Sequence, residues 1–226
     1  MQNRKNTIER VEYLNSRGYR MQSSVYFAQA VELVKRHLAP FAVYTLIYMA
    51  FLLLVYRLGE NGSFLQFLFS GPLNAGYYLA IHRLVNGKPF RFENFFDGFR
   101  IMLPVMTVAM ASMFLTSLGI MIFVLPGLII SLSLIFSLPL VIFGQLELFS
   151  ALRSSTQVVW KQFWEMAKFG LFIFLLNASG ALMLGVGLLF TIPVTFAAIY
   201  FAYMDIIGID TEHENEKSAP DLNHFR

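Results

Sequence analysis

The sequence predicts an all-α fold, a polytopic membrane helical bundle with about six transmembrane helices. The composition is the first reason: 57% of the residues are hydrophobic and 14% are charged, against about 45–50% and about 25% in soluble domains. The second reason is that four long stretches contain no Asp, Glu, Lys or Arg. They cover residues 37–56, 61–82, 101–146 and 169–204, with lengths of 20, 22, 46 and 36 residues.

These four stretches account for six spans. A helix rises about 1.5 Å per residue, so roughly 20 apolar residues cross a hydrocarbon core about 30 Å thick. The first two stretches are therefore single spans. The third is long enough for two, with a turn at 124–127, where Pro126 cannot continue a helix. We expect two spans in the fourth as well, with a break between Gly185 and Pro193; a re-entrant pair at 169–204 is the alternative.

The basic residues predict the orientation of the bundle. Of the 17 Lys and Arg residues, 16 fall before the first span, in alternate loops or in the tail, and only Arg57 falls on the other side. Because basic loops stay on the cytoplasmic side, both termini are expected in the cytoplasm of the cell that carries this membrane. The net charge of +3 follows from the same rule, and we expect no nucleic-acid partner.

Each inside-facing segment that leads into an odd-numbered span has an apolar face with helical spacing, which is typical of an interfacial amphipathic helix. The three faces are Phe27, Val31, Val34 and Leu38; Phe92, Phe95, Phe96 and Phe99; and Leu152, Thr156, Val159 and Phe163. The second span of each pair carries a proline toward its outer end: Pro72, Pro126 and Pro193. The pattern predicts a threefold internal repeat, and three unrelated juxtamembrane helices are the alternative.

The chain divides into three parts. Residues 23–208 form the transmembrane domain. Residues 1–22 form a basic cytoplasmic segment, which either contacts anionic lipid or serves only as the positive-inside signal. Residues 209–226 form an acidic tail with little apolar content, for which we expect disorder.

Five short motifs carry a resemblance to known families. They are Gly71-Pro72-Leu73 with Gly76, Phe95-Phe96-Asp97-Gly98-Phe99, Leu125-Pro126-Gly127, Ala151-Leu152-Arg153-Ser154-Ser155, and Ala202-Tyr203-Met204-Asp205-Ile206. Over roughly residues 23–208 the chain resembles six-span bacterial membrane-protein families that include the membrane domain of some glycerophosphoryl diester phosphodiesterases. The resemblance implies the fold and a location in the bacterial cytoplasmic membrane. It implies no catalytic residues, because the catalytic domain of those enzymes is a separate soluble module.

Polar residues inside the spans are the candidates for a functional path. They are Asn74, Ser131, Ser133, Ser137, Asn177 and Ser179. Such residues either line a substrate path or pack helices together, and helix packing is the favoured interpretation. Glu147 and Asp205 lie at the cytoplasmic ends of spans four and six. We expect boundary ion pairs there with Arg83 or Arg153, and a gate or lipid-headgroup site is the alternative.

Nothing in the sequence indicates enzyme chemistry. There is no cysteine, the four histidines are scattered, and no phosphate-binding or catalytic motif occurs. We therefore assign no catalytic, metal or cofactor residue. The favoured hypothesis is a non-enzymatic accessory or scaffolding protein whose partners are membrane lipids and either another protein or further copies of itself. The alternative is a small transporter or channel for an uncharged or lipidic substrate. A continuous polar cavity would favour the alternative, and a packed bundle with lipid-facing grooves would favour the accessory protein.

Overall fold

A computed structural model describes residues 2–183 and 185–209, without the side chains of residues 2, 60 and 61. The acidic tail predicted from residue 209 lies outside the described residues except for Ile209. Ile209 is partly buried and packs against the hydrophobic core. The last described residue therefore still belongs to the packed bundle.

The described chain consists of helices joined by short turns, which confirms the predicted all-α membrane bundle. The α-helices are α1 (Gln2–Arg17), α2 (Ser23–Arg36), α3 (Leu38–Arg57), α4 (Glu60–Val85), α5 (Met102–Ile122), α6 (Val124–Ser133), α7 (Ser137–Ile142), α8 (Leu148–Lys161), α9 (Phe163–Leu182) and α10 (Leu188–Ile206). A 3₁₀ helix, Phe92–Ile101, leads directly into α5.

Five helical segments of the described chain are long and apolar enough to cross a membrane, where six were predicted. They are Leu38–Arg57, Phe92–Ile122, Val124–Ile142, Phe163–Leu182 and Leu188–Ile206. The remaining predicted span, α4, has 26 residues and so is about 39 Å long, but it is less apolar. Most of its residues between Ser70 and Ile81 are buried. A helix in the centre of a bundle needs no lipid-compatible surface, so α4 can carry Asn74 and several tyrosines.

Both predicted hairpins form, with their turns displaced toward the N-terminus. The first turns at Phe123, and Pro126 lies in the first turn of α6, where the missing N–H has no helical partner to lose. The second turns between the end of α9 at Leu182 and the start of α10 at Leu188, and Pro193 lies within α10. Helices α9 and α10 have 20 and 19 residues, lengths that favour two full spans over a re-entrant pair.

The element order repeats three times, as a short helix followed by two long helical segments. The units are α2–α3–α4, the 3₁₀ helix with α5 and α6–α7, and α8–α9–α10. The short helix of each unit packs on the second segment of the preceding unit in a closed ring: α2 on α10, the 3₁₀ helix on α4, and α8 on α7 and α6. The second long segment of each unit also contacts the first long segment of the next unit: α4 contacts α5, α6 contacts α9, and α10 contacts α3. We call these three interfaces seams.

The outer turns of the second and third units are apolar and exposed. Met121 at the α5–α6 turn is 86% exposed and Leu182 at the α9–α10 turn is 85% exposed. Neither turn contains a charged residue, whereas the α3–α4 turn has Arg57 and Glu60. These two hairpins therefore end in surfaces suited to a lipid or interfacial environment.

Candidate functional site

Aromatic rings fill the centre of the bundle. Phe95 of the 3₁₀ helix is fully buried, and its ring stacks on Tyr44 of α3 with centroids 4.2 Å apart. Tyr77 of α4 stacks on Phe196 of α10 at 4.4 Å. Because Tyr44 and Tyr77 are also in edge contact, one aromatic cluster joins α3, α4, the 3₁₀ helix and α10.

The four-phenylalanine face predicted at residues 92–99 is only partly buried. Phe95 is buried, but Phe92 and Phe96 are 36% and 39% exposed. For Phe96 the reason is the helix type. A 3₁₀ helix has three residues per turn, so Phe92, Phe95, Gly98 and Ile101 align on one side and Phe96 does not. Phe92 shares the side of Phe95 but is the first residue of the helix, and its exposure is not explained by the helix type. Both Phe95 and Gly98 lie against α4.

The seam between α4 and α5 is closed by direct backbone contact. A Cβ added at Gly71 of α4 would lie 2.4 Å from the carbonyl oxygen of Val105 in α5. The 3₁₀ helix approaches α4 in the same way, since a Cβ on Gly98 would lie 2.2 Å from the Pro72 carbonyl oxygen. Because glycine has no Cβ, the backbones of the two helices come into direct contact at these positions, as in other membrane bundles.

The equivalent seam between α6 and α9 is open, and a groove of about 680 Å³ lies between these helices. The volume falls within the roughly 300–1,000 Å³ of typical ligand pockets. Its walls are almost wholly apolar. Leu128, Leu132 and Ile135 line one side, Ala167, Gly170 and Phe174 line the other, and Ile199 of α10 also contributes. We call this feature the α6–α9 groove.

The groove is long enough for one leaflet of a bilayer. Its α9 wall extends from Phe163 to Asn177, which corresponds to roughly 20 Å at about 1.5 Å per residue. One leaflet is half of a hydrocarbon core about 30 Å thick. An acyl chain of a lipid in that leaflet therefore matches the groove in both length and polarity.

A break in the helix beside the groove is held by one serine. Between α6 and α7 the chain leaves helical geometry, which removes regular partners from its backbone. Ser155 of α8 is fully buried and restores two of them: its Oγ donates to the Ser133 carbonyl at 2.7 Å and accepts from the Phe136 N–H at 3.2 Å. Sequence reasoning quoted Ser155 only as part of a motif and missed this role.

Tryptophans flank the end of the groove at which α9 begins. Trp160 Nε1 donates to Ser133 Oγ at 3.1 Å, and the Trp160 ring stacks on Phe163 with centroids 5.2 Å apart. Trp164 packs against Phe163 as well and is 77% exposed. Exposed tryptophans mark the membrane–water interface. Trp160, Phe163 and Trp164 therefore define what we call the groove mouth.

The six predicted polar residues do not form one path. Asn177 and Ser131 line the groove, and Asn177 Nδ2 donates to Thr195 Oγ1 of α10 at 2.7 Å. The other four lie elsewhere: Ser133 beside Trp160, Ser179 bonded to the Leu176 carbonyl, and Asn74 and Ser137 with buried oxygens that accept no hydrogen bond from the described residues.

The predicted boundary ion pairs have different partners. Glu147 pairs with Arg4 of α1 at 2.5 Å, and Arg83 pairs with Asp97 at 3.3 Å. Arg153 is exposed and has no carboxylate within ion-pair distance among the described residues. These pairs form because α1 docks on α8 and because the 3₁₀ helix lies along α4, packing relations that loop charges alone do not contain.

Asp205 accepts a hydrogen bond from the Tyr26 hydroxyl of α2. Burial, followed by this hydrogen bond, raises the pKa of Tyr26 to about 12. The hydroxyl therefore keeps its proton at physiological pH and acts as the donor. The bond ties the first helix of unit one to the last turn of unit three, so it closes the ring of units.

Together, the fold and the groove define a polytopic helical membrane protein with a lipid-facing groove. Within residues 2–183 and 185–209, no three His, Asp or Glu side chains come together as metal ligands. A family model for the membrane domain of glycerophosphoryl diester phosphodiesterase matches residues 100–208. The chain is related to that membrane domain. No curated protein and no solved structure matches the chain.

The match covers α5 to α10 and so contains the whole α6–α9 groove. The resemblance expected over roughly residues 23–208 is therefore confirmed for its C-terminal part. Of the five motifs quoted for it, Leu125-Pro126-Gly127, Ala151 to Ser155 and Ala202 to Ile206 fall inside the match. The Gly71 and Phe95 motifs, which build the closed seam, fall outside it.

Proposed function

We propose that the protein is a non-enzymatic accessory protein of the bacterial cytoplasmic membrane, which holds an acyl chain of a membrane lipid in the α6–α9 groove. The groove itself carries the proposal. It faces outward between two helical segments, Val124–Ile142 and Phe163–Leu182, that are long and apolar enough to span the bilayer. Apolar side chains line almost all of it. A lipid chain is the one apolar molecule always present at such a surface.

Two further observations support this function over transport. The space between α3, α4 and α10 is occupied by the aromatic cluster around Phe95 and Tyr77. Transport would require the six polar residues to lie along one path. They are instead divided between the groove and separate packing positions. The relationship to a membrane domain, rather than to a catalytic domain, accords with a role that needs no chemistry.

We further propose that both termini are cytoplasmic, with α1, α2 and α8 on that side. The support is the 16-to-1 distribution of Lys and Arg between the two sides. In this orientation the groove mouth belongs to the inner leaflet.

Because the chain has no native cysteine, single cysteines test this orientation cleanly. Ser16 and Ser63 are both exposed. Ser63→Cys should react with an impermeant thiol reagent in intact cells, and Ser16→Cys only after permeabilisation. The reverse pattern would invert the bundle, and labelling of both from outside would contradict a crossing of the membrane by α3, the helix between the two positions.

Filling the groove tests the function. In Ala167→Phe the new ring occupies the groove. The amount of lipid that co-purifies after gentle solubilisation should therefore fall to the amount that adheres nonspecifically. Native mass spectrometry counts the retained lipid molecules. Because the new ring enters open space, the melting temperature should stay near that of the unmodified protein.

Ala50→Phe is the matched control, since Ala50 lies on an exposed face of α3 away from the groove. It should retain lipid like the unmodified protein. Equal lipid retention in both variants would refute a lipid-holding groove. If Ala167→Phe instead lowered the oligomeric state with no change in bound lipid, the groove would be an interface between copies of the chain.

A further inference from the structure

The N-terminal helix α1 is docked on the bundle beside the groove mouth. Its polar sequence would leave it in solvent, yet the Tyr19 hydroxyl donates to the Val158 carbonyl of α8 at 3.0 Å. Gln162 Nε2 in turn donates to the Tyr19 carbonyl at 2.8 Å. The segment that follows α1 is therefore attached to the junction between α8 and α9, where Trp160 and Phe163 lie.

Gly18 makes this docking possible. It ends α1 with a φ of +76°, a left-handed conformation that glycine adopts without a steric penalty. The Lys161 side chain passes over it, with its Cε 3.8 Å from where a Cβ on Gly18 would be. The turn therefore places the short segment that contains Arg17 and Arg20 against the Lys161 side chain.

This cluster carries net positive charge. Arg17, Arg20 and Lys161 are exposed, and none has an ion-pair partner among the described residues; Arg17 contacts only the neutral ring and hydroxyl of Tyr13. The nearest acidic side chain on α9, Glu165, is neutralised by Lys168 at 2.7 Å. Glu12 lies more than one turn before Arg17 on α1. Three uncompensated cations thus lie at the cytoplasmic end of an apolar groove.

We infer that Arg17, Arg20 and Lys161 bind the phosphate of an anionic glycerophospholipid whose acyl chain lies in the α6–α9 groove. The inference rests on the proposed function and adds the class of lipid. A glycerophospholipid whose acyl chain lies in the groove has its phosphate at the membrane surface, beside these three side chains. Each basic side chain near an anionic surface adds to the electrostatic attraction. The same cluster gives the docked helix α1 a task beyond setting orientation.

The two tryptophans of the chain, Trp160 and Trp164, provide the measurement because both lie at the groove mouth. The variant Trp164→Phe leaves Trp160 as the only tryptophan. In vesicles, a lipid with brominated acyl chains quenches tryptophan fluorescence on contact. We expect brominated phosphatidylglycerol to displace unbrominated lipid at Trp160 about tenfold more effectively than brominated phosphatidylcholine with the same chains. This preference should shrink in 1 M salt, where the screening length falls to about 3 Å.

Charge removal at the cluster decides the inference. In the Trp164→Phe background, Arg17→Gln, Arg20→Gln and Lys161→Gln together should abolish the preference for phosphatidylglycerol. Removal of Lys35, Arg36 and Arg153 in the same way subtracts equal charge elsewhere and should leave the preference in place. Equal preference in both triple variants, or none in the parent, would overturn the headgroup assignment.

Groove filling separates this outcome from failure of the proposed function. If Ala167→Phe reduces quenching by both lipids but the parent does not distinguish them, a lipid occupies the groove without headgroup recognition. If Ala167→Phe changes quenching by neither lipid, both the proposed function and the inference fail.

Discussion

The α4–α5 and α6–α9 seams occupy equivalent places in two successive units, yet one is closed and the other is open. At the closed seam, Gly71 lets backbone meet backbone. At the open seam, the glycine on the α9 wall, Gly170, faces the flexible Leu132 side chain, with Cδ1 2.8 Å from an added Cβ. The difference shows that one repeated architecture can use a seam either for stability or for a surface that lipid fills. The closed seam should therefore be sensitive to small changes that the open seam tolerates.

The largest effect is expected at the aromatic cluster beside the closed seam. Phe95→Ala should lower the free energy of unfolding by about 3–5 kcal/mol, because the ring is fully buried and its removal leaves a cavity. Phe96→Ala, at a neighbouring residue that is 39% exposed, should cost much less. Reversible denaturation in detergent micelles measures both. Similar losses of unfolding free energy in the two variants would mean that the rings of Phe95 and Phe96 are equally buried.

A methyl group added to each seam compares them directly. Gly71→Ala places a Cβ 2.4 Å from the Val105 carbonyl oxygen, so α4 and α5 must separate, and we expect a loss of about 3 kcal/mol. Gly170→Ala meets the end of Leu132, which can rotate into the groove, so its stability should change by less than about 1 kcal/mol. Thermal unfolding in one detergent gives the comparison. An equal loss in both variants would show that the α6–α9 seam is as tightly packed as its counterpart.

A smaller effect is expected at the helix break that borders the open seam. Ser155→Ala leaves the Phe136 N–H and the Ser133 carbonyl without this partner, which should cost about 2 kcal/mol. The neighbouring Ser154→Ala is the control, since the Ser154 hydroxyl makes no hydrogen bond to the described residues, and it should be nearly neutral. Hydrogen exchange at the Phe136 amide should rise only in Ser155→Ala. Unchanged exchange would show that the break is stabilised without Ser155.

Much of the architecture could be predicted because lipid and water impose strong local constraints. The spaces between charges located the long helices, and proline and glycine located two hairpins to within a few residues. The apolar faces that begin at Phe27, Phe92 and Leu152 identified the short helix of each unit. In each case a residue's environment depends mainly on its near neighbours in sequence, so a pattern is visible without the fold.

The candidate site depends on contacts between residues far apart in sequence. Glu147 pairs with Arg4 and not with Arg153, because α1 docks on α8. The groove exists because α6 and α9 stay apart, which no periodicity of either helix indicates. The Ser155 hydroxyl bonds to Phe136 and Ser133, which precede it by 19 and 22 residues in the sequence. The available signal was the helical spacing that places Ser155 on the same face as Ala151, Val158 and Val159, but serine in a helix commonly bonds within its own turn.

The apolar outer turns at Met121 and Leu182 bear on how a newly made chain enters the membrane. In the proposed orientation, the hairpins at 101–146 and 169–204 insert without moving a formal charge across the bilayer. The first pair of helices must move Arg57 and Glu60, the charged residues at its turn, across the bilayer. In this orientation the turn at residues 57–60 is therefore the demanding translocation step of the three hairpins.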